Sequence, residues 1–589
     1  MNRSLRLLLL VTASACLLSS CIYIFPADTV FTKSTSTVYD LQGLEKSDHV
    51  DIVNAYSLDY YTLPEDNNLI PYVSLKGYAD MMSHYFDARV TTKFSYQGQN
   101  PVWQVYLKSE KEGVNPSYVF FTILDVNRNA FYVGGSLYNT LTRNLVSMSN
   151  SSLGMASYGK DETLQEGRSY SIYSFNGYSH GKRWSNGDVY LPLGYFDAAI
   201  GQTCSIYHLF DMNRFFAYSE PGETYLSNLY YGDIPINCGN NIARYYMVNG
   251  MPLPLREYER DIMYFVFDNR YGLAEYKKIP SMSSYYKSIG VDDLLLSPNP
   301  ESREEGFFKA INVLEDLHTG PRAIASWWGD TRDGITYSNR RNRYSEVSNL
   351  LKENRTEKFG SDIKKIQYHE DMAFISMDGF EASFEAYEED GKTINPNIYE
   401  EDTFFYMTKQ LTEASKNENI HDVVIDLSVN GGGYVAIMRK IVTLLSKTNH
   451  VTFGYYDSEK GADIDSTVSV DSNLDGKYDE KDVFGNRFNF YILTSSCSYS
   501  AGNAMPCFSR FHGFAKTIGE NSGGGECTVE SVCLPSGRSF GFSTPLHIVF
   551  HDKEANKMVG VESGAGIDYP VEYNNFYDLE YLYQTIHAN

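Results

Sequence analysis

A chain of 589 residues with 42% hydrophobic and 21% charged residues is too long for one ordinary domain and too apolar for disorder. Its formal net charge of −24 excludes nucleic acid and anionic headgroups as electrostatic partners, because attraction to phosphates comes from Lys and Arg. No stretch is apolar for long enough to cross a bilayer.

The first element in chain order is a signal. Met1-Asn2-Arg3-Ser4-Leu5-Arg6 is a basic leader, Leu7 to Leu18 a short apolar core, and Leu18-Ser19-Ser20-Cys21 resembles a bacterial lipobox. On that reading residues 1–20 are a signal peptide cleaved before Cys21, whose sulfur is then lipidated. The expected product is exported, lipid-anchored at the bacterial cell envelope on the periplasmic face or the cell surface, and otherwise soluble.

Residues 21–240 contain short β-branched and aromatic runs such as Val119-Phe120-Phe121-Thr122-Ile123-Leu124, separated by Asn- and Gly-rich turns. This predicts a β-rich or α+β N-terminal domain. The 49 tyrosines of the chain fit half-buried sheet faces, or the aromatic platforms of a glycan-binding protein. Besides Cys16 of the signal and the lipidated Cys21, the cysteines are Cys204, Cys238, Cys497, Cys507, Cys527 and Cys533. An even number in an exported chain permits disulfides, with Cys527 and Cys533 able to close a small hairpin; free buried thiols fit equally. No pair has Cys-x-x-Cys spacing, which argues against a cysteine-built metal cluster.

Residues 255–589 change texture. Phe307, Ile311, Leu314 and His318 recur at i, i+4, i+7 and i+11, predicting a helix that carries His318 on its core face and ends at Thr319-Gly320-Pro321. Then come a strand-like stretch (Met372 to Met377), a helix near 402–416, the apolar run Val423 to Leu427, a helix from Val435 to Leu445, and the run Phe490 to Leu493 ahead of a further helix. Alternating strands and helices predict an α/β domain with a parallel sheet. Three turns follow its strands: Asn430-Gly431-Gly432-Gly433, Ser498-Tyr499-Ser500-Ala501-Gly502 and Gly519 to Gly525. Ligands of open α/β sheets gather at such carboxyl ends. Neither a Walker motif nor GxGxxG is present, so backbone N–H groups serve better as an oxyanion hole than as a nucleotide cradle.

VVIDLSVNGGG (423–433), ILTSSCSYSAGN (492–503) and TIGENSGGG (517–525), with VLEDLHTG (313–320) upstream and VESGAGIDYP (561–570) downstream, resemble the C-terminal processing (tail-specific) peptidases and the tricorn protease. The resemblance implies a ClpP/crotonase-like spiral of sheet and helices, and a serine-type peptidase working through an acyl-enzyme without a catalytic cofactor. It makes Ser500 the nucleophile and the N–H groups of Gly432 and Ala501 the oxyanion hole. The tail-specific lysine position is Gly525 here, so the histidine-using branch applies, with His318 as base and Glu562 as the acid that orients it. His512 lies 12 residues along the helix, about 18 Å from Ser500, too far to serve, and His547 and His551 are secondary candidates. Leu317 stands where the family has serine and Ser428 where it has arginine, and the 53 residues between His318 and Met372 leave no room for a PDZ insertion.

DSNLDGKYDEKD (471–482) puts Asp471, Asn473, Asp475 and Asp479 at positions 1, 3, 5 and 9 of an EF-hand-like loop, with Gly476 at the turn, the Lys477 carbonyl at 7 and Asp482 at the end, predicting a structural Ca²⁺. The expected partner is a protein or peptide substrate, with no nucleic acid and membrane contact only through the lipid. Leu317 and Ser428 keep open a peptidase-shaped lipoprotein that binds peptides or other ligands without turnover.

Overall fold

The computed structural model describes residues 29–41, 50–109, 114–137, 140–141, 153–165, 167–212, 214–219, 229–231, 234–236, 246, 248–322, 336–383, 393–552 and 557–588. The signal segment, Cys21 and Cys238 lie outside these residues. No described helix is long and apolar enough to cross a membrane.

A mixed α/β domain occupies the C-terminal part. Its sheet runs Gln367–His369, Met372–Ser376, Asp422–Asp426, Asn489–Thr494, Ala515–Gly519, Tyr569–Pro570, parallel at every pairing except the first. The strands are apolar on both faces because helices cover both. Ala373, Ile375, Val423, Ile425 and Ile492 pack with the helices Thr403–Ser415, Val435–Leu444 and Ala501–Phe511. Their alternates Met372, Phe374, Val424, Tyr491 and Leu493 pack with Leu351 of the helix Asn339–Phe359 and with Leu582 and Ile586 of Leu579–His587. The register sets Asp426 beside Leu493 and Thr494 beside Gly519, so three loops leave the sheet at one edge.

The buried charge at that edge is satisfied by another element. Asp426 accepts from Arg355 (3.2 Å), Ser376 Oγ (2.9 Å) and the Ser428 N–H (2.9 Å), while Arg355 also pairs with Asp378 at 2.6 Å. Ser428, at the position where the resemblance implies arginine, bridges Asp426 and the Tyr577 hydroxyl, and the cation comes from the helix Asn339–Phe359.

The N-terminal region is β-rich. An antiparallel five-stranded sheet takes Val90–Gln97, Asn100–Leu107, Ser117–Asp125, Ala130–Gly135 and Ser171–Ser174 in order, beside a nine-stranded mixed sheet. Tyr72, Tyr78, Tyr85 and Tyr195 are fully buried, so much of the tyrosine content here is core packing. Packing crosses the 240–255 boundary read from the sequence. Phe265 of the helix Leu253–Arg270 lies 5.2 Å from Tyr195, and Phe267 stacks at 5.1 Å on Phe540 of the strand Ser539–Asp552. The strand Met155–Gln165 joins Ala462–Val470 in a seven-stranded sheet.

Two sequence expectations are corrected. The amphipathic helix spans Pro300–Asn312 only; Glu315 adopts φ +45°, which ends helical continuation, and Leu314 and His318 reach the core from a loop. Cys527 and Cys533 are the two ends of one strand, roughly 20 Å apart at 3.3 Å per residue, so they close no hairpin. Both are free and buried, as are Cys204, Cys497 and Cys507.

Candidate active site

Ser500 sits where the strand Asn489–Thr494 turns into the helix Ala501–Phe511. Its backbone has φ +58° and ψ −125°, a conformation that costs a non-glycine residue on the order of 1–3 kcal/mol and persists only when its surroundings enforce it. The neighbouring hydroxyls do that enforcing. Ser498 Oγ donates to the Leu427 carbonyl (2.7 Å) and accepts the Ser495 N–H (3.0 Å). Ser495 Oγ donates to the Ser428 carbonyl, and the Tyr499 N–H reaches the Asn430 carbonyl at 3.0 Å. The turn is thereby fastened to the neighbouring 427–430 turn. Ser500 itself is held through its backbone, its N–H donating to the Gly524 carbonyl at 2.9 Å, and its half-buried side chain makes no hydrogen bond among the described residues. Ala501 is the first helical residue, so its N–H lies outside the helix ladder.

Gly432 lies against Ser500. An added Cβ there would stand 2.7 Å from Ser500 Cβ and 3.1 Å from its Oγ, and φ is +113°, so only glycine fits. Its N–H, however, donates to Asn430 Oδ1 at 2.9 Å. Of the two expected oxyanion donors, one is therefore already committed.

His318 lies in the loop between the helix Pro300–Asn312 and the short strand Gly320–Pro321. Its ring is 91% buried and meets the Tyr499 ring edge to face at 4.8 Å, one residue from Ser500. Nδ1 faces Ser543 Oγ at 3.5 Å, and Nε2 is buried without a partner among the described residues. Burial holds the imidazole well below its ordinary range, at about 4; Asp316 opposes this, and Arg322, Arg340 and Arg341 add to it. The ring is accordingly neutral at pH 7 and able to accept a proton. No hydrogen bond joins Ser500 Oγ to His318.

The acid beside His318 is Asp316, which the sequence reading passed over. It accepts from the His318 N–H (3.0 Å), Thr319 Oγ1 (2.7 Å), Tyr271 (3.3 Å) and Tyr499 (3.2 Å). Burial raises the Asp316 carboxyl, but His318, through its charge and its backbone N–H, and the Thr319 and Ser543 hydroxyls together hold it below the usual range. Its only sequence signal is the Asp-Leu-His spacing. Glu562 is elsewhere engaged: Oε2 takes the N–H groups of Gly525 (2.8 Å) and Glu526 (3.0 Å), Arg340 approaches Oε1 at 4.0 Å, and no hydrogen bond runs to His318. Burial pushes Glu562 above its ordinary range against the pull of those N–H groups. The glycine turn joins the two halves, since Gly524 receives the Ser500 N–H and Gly525 gives its own to Glu562.

Gly525 also settles the lysine question sterically. A Cβ there would lie 2.6 Å from Tyr499 Cζ and 2.9 Å from the Ser500 nitrogen, at φ +90°, so Tyr499 fills the space a side chain would need. Two other candidate histidines are engaged elsewhere: His512 caps the far end of the helix, 3.3 Å from the Thr452 carbonyl, and His547 bonds Glu526 at 2.8 Å.

The 471–482 loop is wound around its own acids. Asp471 accepts the N–H groups of Asp475 (3.0 Å) and Gly476 (2.8 Å), and Asn473 also accepts that of Asp475 (2.8 Å). Asp475 accepts from Lys477 (2.9 Å) and Asp479 from Lys481 (2.8 Å). Asp482 is buried and accepts from Ser472 (2.9 Å) and Asp479 (3.0 Å). Each carboxylate keeps unused lone pairs after these bonds. Among the described residues two groups of three metal-ligating side chains converge, Glu526–Cys527–His547 and Asp371–Asp422–His587, neither of them in this loop.

A serine raised on a strand-to-helix turn, beside two glycine turns and a buried neutral histidine, is the layout of a serine hydrolase domain on a parallel α/β sheet. Residues 375–562 match Peptidase family S41, so the C-terminal part of this chain carries an S41 peptidase domain, preceded by the β-rich region. No curated protein matches the chain. Among solved structures, a candidate peptidase from Parabacteroides merdae aligns at 16% identity over 54% of this chain and 89% of its own, with a TM-score of 0.37. The photosystem II D1 C-terminal processing protease aligns at 18% identity over 36% and 45%, TM-score 0.25. The tricorn protease aligns at 9% over 94% and 59%, TM-score 0.32.

Proposed function

We propose that this protein is a serine-type peptidase of the bacterial cell envelope that cleaves peptide bonds through an acyl-enzyme on Ser500. The observation that carries the reading is the enforced positive φ of Ser500 next to Tyr499, whose ring packs on a histidine with a buried Nε2 that has no partner among the described residues. A small closure of the 313–322 loop on substrate binding brings Nε2 to Ser500 Oγ. His318 takes the hydroxyl proton as Oγ bonds to the scissile carbonyl carbon, then returns it to the leaving amine as the C–N bond breaks. Water repeats the cycle and frees the acid. The oxyanion is met by the Ala501 N–H and by that of Gly432, which must release Asn430; each such donor lowers the barrier by about 3 kcal/mol. Asp316 and Ser543 orient the histidine loop, and Glu562 holds the glycine turn beneath Ser500. Labelling by a fluorophosphonate probe that is lost in Ser500→Ala supports this reading.

A second reading has its own observation. With the Gly432 N–H committed and no Ser500–His318 bond, the crevice can be one that binds peptides without turnover. An unlabelled wild type that still retains peptides would establish it.

Two further parts of the proposal stand on the chain's other features. Export and lipidation at Cys21 follow from the leader, and radiolabelled palmitate incorporation lost in Cys21→Ala tests them. Ca²⁺ in the 471–482 loop rests on the free lone pairs of Asp471, Asn473 and Asp475; identical melting in Ca²⁺ and in EGTA would remove it.

A further inference from the structure

We propose that Glu526, Cys527 and His547 form a zinc site behind the glycine turn, outside the set of residues that handle the peptide. All three residues are more than nine-tenths buried. One ligand atom from each lies within 4.8 Å of the others. His547 Nδ1 stands 2.8 Å from Glu526 Oε1 and 3.6 Å from Cys527 Sγ. The Nδ1–Sγ separation is close to the edge of a tetrahedron with metal bonds of about 2.0–2.3 Å, while Nδ1 and Oε1, now at hydrogen-bond distance, must open by about 0.5 Å to admit the ion.

The placement comes from the hairpin. Cys527 and His547 are direct cross-strand partners on Cys527–Cys533 and Ser539–Asp552, so their side chains emerge on the same face. Glu526 is the residue before that strand, and its side chain reaches His547 from the end of the ladder; the register irregularity between Cys527 and Val529 places the extra residues on the partner strand, between Ser543 and His547. This is why Cys-x-x-Cys spacing gives no hint of the site: the ligands are one adjacent pair and a histidine 20 residues on.

The surroundings match what a metal site needs. The other ring nitrogen, Nε2, faces Ser458 Oγ at 3.3 Å, whose own proton goes to the Pro545 carbonyl, so Ser458 can accept from Nε2–H when Nδ1 exchanges its Glu526 hydrogen bond for the metal. The second Glu526 oxygen accepts the Glu562 N–H at 3.0 Å, orienting the carboxylate. A thiol, an imidazole and a carboxylate select zinc over calcium or magnesium, which prefer all-oxygen shells. On binding, the thiol loses its proton to solvent and a Zn–S bond forms with no change of oxidation state; water takes the fourth position.

Competition of the full purified chain against a chromophoric chelator for Zn²⁺ tests the assignment. The expected result is one tight site per chain whose affinity falls by about 100-fold or more in Cys527→Ser and in His547→Gln. Co²⁺ substitution adds an optical readout, a thiolate-to-metal charge-transfer band present in wild type and absent in Cys527→Ser. His587→Ala, which breaks the other convergent group, should leave both readouts unchanged. A chain that binds Zn²⁺ no more tightly than Cys527→Ser, a cobalt complex without the thiolate band, or binding lost in His587→Ala instead would each overturn the proposal. Metal-free melting of each variant separates lost ligation from lost folding, and Glu526→Gln, which keeps shape, serves if Cys527→Ser does not fold.

Discussion

The two halves of the candidate site are built by different means. On the serine side, a strand, a turn and a helix follow one another within 23 residues, and every hydroxyl from Ser495 to Ser498 that fixes the turn reaches a carbonyl or N–H a few ångströms away. On the histidine side, no regular element carries the ring. His318 is held in a loop by an acid two residues back, a tyrosine from the serine turn and a serine from the strand Ser539–Asp552. The contrast is between a serine positioned by local structure and a histidine positioned by tertiary packing, the two residues to which the proposed mechanism gives the parts of nucleophile and base.

The largest effect expected from breaking the serine side is Ser500→Ala, with kcat/KM down at least about 10⁴-fold and a melting temperature near that of wild type, since its Oγ makes no hydrogen bond among the described residues. Turnover that survives would remove the serine mechanism altogether.

The histidine side is sharpened by pH. Because folded His318 takes its proton only near pH 4, kcat/KM should stay level from pH 7 to about 5 and fall below that, rather than fall near the ordinary imidazole value of about 6.5. Asp316→Asn removes the charge that opposes the shift, so the acid limb should move to still lower pH. The same depressed value has a stability consequence. The unfolded histidine binds its proton more readily than the folded one, so its contribution is intact above about pH 6.5 and is lost as pH falls toward 4. Urea midpoints of wild type and His318→Gln should therefore converge as the solution is acidified.

The junction between the halves is the next target. Gly525→Lys restores the tail-specific residue but places Cβ against Tyr499 at φ +90°, and should cost about 3 kcal/mol or more in urea unfolding without installing a working base. The smallest effect belongs to Tyr499→Phe, which removes one hydrogen bond to Asp316 but keeps the ring on His318: about 1 kcal/mol of stability and a modest drop in kcat.

The same division explains what was legible in advance. The α/β class, the parallel strands and the serine turn could be read because buried strands and covering helices leave periodic apolar patterns, and because each turn follows its strand directly in the chain. The histidine helix was misjudged because Leu314 and His318 keep the helical spacing while Glu315 leaves the helical conformation, a change periodicity does not register. Asp316 was passed over because an acid two residues from a histidine is common, and only Tyr271 and Tyr499, 45 and 183 residues away, turn it into the hub of the loop.

Sequence alone determined the strand-and-helix order, the serine on its turn and the glycine in place of a lysine at position 525, since these depend on the order of residues along one stretch of chain. Tertiary structure decided which acid stands beside the imidazole, that Glu562 serves the glycine turn and that Arg355 rather than residue 428 neutralises Asp426. Those choices depend on groups that meet only when distant segments are folded together, where burial makes each unpaired charge or polar atom costly and so selects its partner.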